Sequence, residues 1–519
     1  MRVSRVVGDR TAGSVGKTSR EPPHRSKAEF KAVKRPKSRT EGGQSARSSD
    51  EVLIKSGWSQ GAQESGSEMN QTNEKKIDDS GGKQREPKQV EEAQTIPEWV
   101  ERSVWTDRMW QRLKSQAQAV WFSLWDKVSD SDNLNQGALE VVLNEGCAGV
   151  DAMSTGQIKE QWGEEMERLQ TELRTGQYRP LPVKRAWIAK MGSKEKRPLG
   201  IPAVRDRVVQ AALRHVLEPI FEQDFAAHSY GFRPGKSAQQ ALVRVEEKLR
   251  EGNTWVVDAD LKSYFDTIPH EQLIKAVSQR IADGKVINLI ESYLKAGVME
   301  TTKEWKPTER GTPQGAVISP MLANLYLNGL DHQMAQNGWE MTRYADDFIV
   351  QCKSEEQARQ ALAQITQWVK EAGLELHPTK TRIVNAAEAG GFDFLGYHFE
   401  RYQKDGGMKW PRKKSIVKLR EAIRRKTGRL RSGSMEAIIA EINPTLRGWY
   451  AYFKASKQNA LNGVDGWIRQ RLRSIVRRRK KRQGISKGRE NVEIPNQWFA
   501  ERGLFGMATA VARRKAITS

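Results

Sequence analysis

Two cysteines in 519 residues, Cys147 and Cys352, exclude a disulfide framework and a cysteine-rich zinc site. A reducing compartment suits such a chain. Long hydrophobic runs are also missing. The longest uncharged stretch, Thr312 to Leu330, has membrane-spanning length but holds two prolines, a glutamine and two asparagines, so it reads as a buried element of a soluble fold. No transmembrane helix and no membrane partner are expected. The N-terminus lacks the apolar segment of a signal peptide. Its first 40 residues are Arg- and Ser-containing and acid-poor, which suits a basic tail and, as the alternative, an organellar transit segment. Aromatics are nearly absent from residues 1–95, with one Phe, one Trp and no Tyr, so this stretch cannot bury enough apolar area to offset chain entropy. It is expected to be disordered, and a translation start at Met69 would remove most of it at no cost to a fold. Acids are scarce near the other end. Residues 411–482 carry 22 Lys or Arg against 4 Asp or Glu, and residues 1–95 carry 19 against 14, so the formal charge of +23 sits in these two regions and the remainder is near neutral. A surplus of that size implies a polyanionic partner, above all nucleic acid.

The length exceeds one ordinary core, so several domains are expected. From Trp110, the residues Leu113, Ala117, Val120 and Leu124 recur at three- and four-residue spacing and predict an amphipathic helix opening the folded part. Segments near 184–190, 254–261, 341–352 and 392–399 are short and apolar or alternating, as strands are, with helical patterns between them. After Pro411, Ile416, Leu419, Ile423 and Leu430 repeat helically. "MEAIIAEINPTLRGWYAYF" and "LNGVDGWIRQRLRSIVRRRKKRQ" follow, which makes three helices sheathed in Arg. No internal repeat is visible.

The chemistry gathers in "MTRYADDFIVQC", residues 341–352, where "YADD" reads as the tight turn of a hairpin that presents Asp346 and Asp347 forward. Adjacent carboxylates raise each other's pKa unless a cation neutralises them, so a divalent ion is the natural resident. A second strand-like stretch, "WVVDADLKSYFDTIPH" (255–270), sets Asp258, Asp260 and Asp266 among Trp, Val, Tyr and Phe. Acids in an apolar strand need partners. Asp258 and Asp260 share a strand face, so spacing alone does not choose between them.

"ADLKSYFD", "GTPQGAVISP" and "YADD", in that order, resemble the palm of group II intron-encoded reverse transcriptase/maturases. The likeness covers roughly residues 110–480, with further matches at "YRP", "RDRVVQ", "SYGFRPG" and "FDFLGYHF". It implies an α+β, right-hand polymerase fold, fingers and palm with antiparallel sheet, followed by an α-helical thumb or domain X. The expected divisions are a disordered extension 1–95, N-terminal helices and fingers with the start of the palm 96–254, palm 255–408, helical thumb 409–483 and a C-terminal tail 484–519.

By this resemblance Asp260 and Asp346 ligate two Mg²⁺ ions and Asp347 completes the acidic cluster. Phosphoryl transfer needs little covalent help from protein, and hard oxygen ligands select Mg²⁺. Phe265 stands where the family carries an aromatic that blocks a ribose 2′-hydroxyl. Gln314 and Gly315 meet the incoming nucleotide and template base. "IAKMGSKEKRPLGIP" looks like the fingers hairpin, with Lys190 and Arg197 gripping the triphosphate and Lys194 and Lys196 as competing lysines. "LELHPTKT" resembles the motif whose lysine, here Lys380, protonates the departing pyrophosphate. For RNA contact the resemblance points to Arg207 and Arg233 in the body and to Arg424, Arg425, Arg447, Arg471, Arg477 and Arg478 in the thumb, where "INPTLRGWYAYF" carries the likeness. No Cys pairs or His-Asn-His pattern follow Lys481, so the DNA-cutting HNH domain of some relatives is not expected.

The implied activity is RNA-directed DNA polymerisation by a protein that binds its group II intron RNA, assists its splicing and copies it into DNA. Its partners would be that RNA, an RNA template with a DNA primer or target DNA, and deoxynucleoside triphosphates, in a bacterial or archaeal cytoplasm or, alternatively, an organelle. Two other readings stay open: a splicing cofactor with a vestigial polymerase, and a domesticated reverse transcriptase serving defence or DNA repair.

Overall fold

The computed structural model describes residues 111–112, 119–189, 196–301, 304–403, 406–428, 431–481 and 488–518. The expected disordered extension, Trp110, Leu113, Ala117, Lys190, Lys194 and Leu430 lie outside them. Val120 and Leu124, expected in the opening helix, are not helical. Trp121 exchanges backbone hydrogen bonds of 2.8 Å with Arg280 and Ala282, and after Gln111 and Arg112, which are helical, the next described helix is Trp125–Val128. A long-range bridge there overrides the local periodicity.

The central sheet is antiparallel throughout, in the order β6 (Glu340–Tyr344), β7 (Asp347–Cys352), β3 (Trp255–Asp260), β8 (Arg382–Asn385). Alternation assigns its faces. Val257 and Ala259 of β3, with Phe348, Val350 and Cys352 of β7, enter the larger core. The helices Ser319–Gln336 and Glu355–Glu371 bury their apolar residues in the same core. The first of these takes in Ser319–Leu330 of the long uncharged stretch, and its apolar residues are buried in that core. Among the described residues no helix is long and apolar enough to cross a membrane. On the opposite face Val256 and Ile349 join a smaller cluster with Ala241, Leu242 and Val245 of the helix Ala238–Arg250 and with Phe392, Phe394, Tyr397 and Phe399.

A second sheet runs β2 (Lys196–Ile201), β1 (Val183–Ala189), β4 (Val298–Thr301), β5 (Glu304–Lys306). It departs from the antiparallel expectation at one pair, because β1 and β4 run parallel, with the helices Val204–Phe221 and Ala238–Arg250 and strand β3 between them in sequence. A third sheet, β11 (Gly406–Pro411), β10 (Tyr397–Gln403), β9 (Phe392–Phe394), corrects the expected single strand 392–399. Leu395 and Gly396, at φ +45° and +84°, form a two-residue turn there, with Phe394 paired to Tyr397. Two left-handed residues give a hairpin whose twist matches its strands. Leu at the first position hides the signal that Asn-Gly would show.

Three helices follow as expected, Lys413–Lys426, Met435–Phe453 and Gln458–Arg479, around a core of their own. The division at 408/409 cuts β11, and the helical region starts after Pro411. The C-terminal tail is a correction too. Gly488–Glu493, Asn496–Glu501 and Met507–Thr518 are helical, and Ile494, Phe499, Met507 and Val511 are buried in the thumb core. Asn443 clasps this segment, donating to Gly503 O at 2.8 Å and accepting from Phe505 N at 3.0 Å, while Asp465 accepts from Met507 N and Ala508 N at 3.2 and 2.9 Å. Trp449, Tyr452 and Phe453 dock instead on the β9–β10 hairpin. Tyr452 Oη donates to Leu395 O at 2.8 Å, and Phe453 lies 4.9 Å from the Tyr397 ring.

Because Phe499 is fully buried, Phe499→Ala should cost about 3–5 kcal/mol of thumb stability. Val492→Ala, at a side chain 82 % exposed, should stay within about 0.5 kcal/mol. Denaturant unfolding of the two variants, followed by tryptophan fluorescence, checks the contrast.

Candidate active site

The acids meet because of register. Asp260, the last residue of β3, is paired directly with Asp347, the first of β7, and Asp258 is paired with Ile349. Cross-strand partners share a face, with Cβ atoms about 5 Å apart. Tyr344 pairs with Asp347, so Ala345 and Asp346 alone form the turn of the β6–β7 hairpin, Ala345 at φ +60°. Gly231, from "SYGFRPG", packs behind that turn so closely that a Cβ on it would fall 2.3 Å from Ala345 N.

The structure separates the two acids of β3. Asp258 is held by Arg382 of β8, Nε to Oδ2 3.1 Å, whereas Asp260 sits at the strand end, where Lys380 Nζ reaches its Oδ2 at 2.6 Å. The Lys380 loop is strapped to β3 by hydrogen bonds from His377 N to Asp260 O (2.7 Å) and Lys262 N to Glu375 O (2.9 Å). Burial pushes Asp347 up to about 7, reinforced by the charges of Asp346 and Asp258 and opposed by Arg412. Burial also raises Asp346. Its own backbone N–H opposes that rise, the charge of Asp260 adds to it, and Arg197 and Arg343 oppose it. Asp258 is raised by burial against the pull of Arg382.

Arg197, exposed on β2, is thus close enough to act on the turn carboxylate from the neighbouring sheet. Phe265 is half-buried, packed on the larger core and set edge-on to Tyr264 with centroids 5.6 Å apart. Its carbonyl accepts from Thr312 N at 2.7 Å, which ties it to the loop carrying Gln314 and Gly315. Gln314 O in turn accepts from Gly200 N at 2.7 Å. Gly315 adopts φ +113°, and a Cβ there would fall 2.7 Å from Gly200 O, so this position demands glycine.

Asp260, Asp346, Asp347, Arg197, Phe265, Gln314, Gly315 and Lys380 therefore belong to one region, and Lys190 lies outside the described residues. Among the described residues no group of three or more His, Cys, Asp or Glu is arranged to hold a metal ion by itself. The donor set fits Mg²⁺ all the same. It is carboxylate oxygen without His or Cys, and Mg²⁺ is usually held by one or two carboxylates, water and substrate phosphate rather than by a protein cage.

Two of the expected RNA contacts are corrected. Arg207 is buried and donates to Pro202 O at 3.0 Å and to Cys147 O; Arg233 is buried and bound to Glu222 at 2.7 Å and to Ala226 O and Ser229 O at 2.6 and 2.7 Å. Both guanidiniums are consumed within the fold. Arg471 is half-buried and donates to Thr427 Oγ1 and O at 2.7 and 2.8 Å, closing the end of the Lys413–Lys426 helix. Arg424, Arg425, Arg447 and Arg478 are exposed, and Arg477 is half-buried. Arg424 and Arg420 both stack on Trp467, at 5.5 and 5.4 Å, and Arg447 stacks on Phe505 at 4.8 Å. Sequence reasoning missed Arg382, for which the spacing offers no signal, and Gly231, for which a glycine inside a motif is the only one.

Residues 188–399 match the family model "Reverse transcriptase (RNA-dependent DNA polymerase)" and residues 416–491 match "Group II intron, maturase-specific domain", together more than half of the chain. Protein YkfC of Escherichia coli (strain K12) is 35 % identical over 292 residues, covering 49 % of this chain and 76 % of that protein. Group II intron-encoded protein LtrA of Lactococcus lactis subsp. cremoris is 43 % identical over 186 residues, 36 % of this chain and 31 % of LtrA. A 91 kDa protein in the cob intron of Schizosaccharomyces pombe is 33 % identical over 280 residues, 43 % of this chain and 34 % of its own length. The match thus spans most of the first relative and about a third of the other two. With acidic strands β3 and β7 and the loop around Gly315 inside the first matched region, and the Arg-rich helices largely inside the second, the chain belongs to the group II intron-encoded reverse transcriptases/maturases.

Proposed function

We propose that this protein is an RNA-directed DNA polymerase that binds its group II intron RNA, assists its splicing and copies it into DNA. The observation that carries the reading is the convergence of Asp260 and Asp347, paired across β3 and β7, with Asp346 on the adjoining turn. Asp260 and Asp346 would hold two Mg²⁺ ions, with Asp347 as the third carboxylate. When bound, such ions supply Lewis-acid stabilisation of the charge that builds on the reacting oxygens.

The remaining work falls to the chain's own groups. Arg197 grips the triphosphate as a bidentate partner, and Lys380 Nζ, beside Asp260, supplies the proton taken by the departing pyrophosphate. The Phe265 ring closes the space a 2′-hydroxyl would need, and the Gln314–Gly315 backbone lets the nucleotide approach closely. Exposed Arg424, Arg425, Arg447 and Arg478, with Arg477, supply affinity for RNA backbone, which gives strength rather than sequence choice. A splicing cofactor with a vestigial polymerase would leave the acidic cluster without a reason, since desolvated carboxylates cost stability. The bacterial relatives suit a cytoplasmic setting.

In primer extension on an RNA template with Mg²⁺, Asp260→Ala should lose roughly a thousandfold in rate, about 4 kcal/mol of transition-state stabilisation, while Asp258→Ala stays within about tenfold of wild type. Equal losses would remove the distinction between the two acids. Phe265→Ala should narrow the preference for deoxynucleotides over ribonucleotides by roughly 10- to 100-fold, read as the ratio of kcat/KM for the two sugars. Asp347 has a folded pKa of about 7 against an ordinary 3.8, so the fold favours its protonated form. That contribution is complete below about pH 4 and is lost as pH rises through about 7. Asp347→Asn cannot ionise. Without metal it should raise the melting temperature by a few degrees at pH 8, the scale of about 1 kcal/mol in a domain of this size, and by less at pH 5. Differential scanning fluorimetry at the two pH values measures the gap.

A further inference from the structure

Arg343 of β6 is 0 % exposed, as is its partner Asp331 on the helix Ser319–Gln336. A buried ion pair is often no more stabilising than well-packed apolar residues of the same volume, so its presence calls for another reason. The donors show where the guanidinium is directed. Nε reaches the two Asp331 oxygens at 2.8 and 3.1 Å, and Nη1 donates at 2.9 Å both to Asn324 Oδ1 and to the carbonyl oxygen of Ala345. Ala345 is the residue before Asp346 and the one held at φ +60°.

A non-glycine residue in that conformation is strained and persists only where its surroundings over-determine it. Here they do. Asn324 Nδ2 donates to Gly231 O at 2.7 Å, Tyr230 N to Arg343 O at 2.9 Å and Arg343 N to His228 O at 3.0 Å, so the strand and its guanidinium brace the turn together. A planar fork can serve Asp331, Asn324 and Ala345 at once, which an ammonium cannot.

We propose that Arg343, fixed by Asp331, is a positioning residue that locks the Ala345–Asp346 turn and thereby holds the Asp346 carboxylate at the acidic cluster with Asp260 and Asp347. The proposal rests on the polymerase reading above. Its role is carried by the backbone carbonyl of Ala345, not by contact with substrate.

The test compares wild type, Arg343→Lys and Asn324→Ser for melting temperature, kcat and KM for a deoxynucleotide in primer extension, and hydrogen exchange of the peptide spanning 341–350. With the protein folded, Arg343→Lys is expected to lower kcat by about 30-fold, to keep KM within about threefold and to speed exchange at Ala345–Phe348 but not along β3. Unchanged kcat, or faster exchange across the whole sheet in step with lost folded protein, overturns the proposal. If Arg343→Lys does not fold, Asn324→Ser decides. A kcat lowered about threefold at unaltered KM supports the brace, and wild-type kcat overturns it. An inactive wild type would sink the polymerase reading instead, and exchange at the turn would then decide the positioning role, with unchanged exchange in both variants overturning it.

Discussion

The register between β3 and β7 is the constraint on which the site depends. Side chains alternate with a period of two, so a slip by one residue would send Asp260 and Asp347 to opposite faces of the sheet. The acids do not hold that register, since like charges facing each other repel. It is held by what lies behind them: Val257, Ala259, Phe348 and Val350 in one core, Val256 and Ile349 in the other. Full burial of such aliphatic and aromatic side chains is worth about 1.5–3 kcal/mol apiece. Two apolar faces therefore force the carboxylates together at one end of the strands.

That arrangement was legible in part. "ADLKSYFD" and "YADD" located the acids and the hairpin, and the three thumb helices follow their apolar spacing closely. The choice between Asp258 and Asp260 was not available from periodicity, because both share a face; it is Arg382, 124 residues away from Asp258, that sets them apart. Arginine is the least legible residue in this chain. A sequence reports the charge of Arg207 and Arg233 but not that each is spent on carbonyls and, for Arg233, on Glu222, so a basic residue in a motif reads as an RNA contact. The C-terminal helices were hidden for a related reason. The charged run ending at Arg482 masks the sparse apolar residues beyond it, and only long-range clasps from Asn443 and Asp465 show what they cover.

The two regions matched by separate family models are not physically separate. Val256 and Ile349, which fix β3 and β7, belong to the same apolar cluster as Phe453 of the thumb, and Trp449 packs against both that cluster and the thumb core. The hairpin β9–β10 is the intermediary, bonded to the thumb through Tyr397 Oη to Tyr452 O and Tyr452 Oη to Leu395 O, each 2.8 Å. Arg412, the residue just before the first thumb helix, also places its charge near Asp347. The basic helices are thus joined to the acidic strands through packed side chains. For the function proposed above, holding a folded RNA and joining nucleotides on it, the joint that carries "GWYAYF" is where the two demands meet, and its residues are aromatic rather than basic because their partners are the hairpin and its apolar cluster.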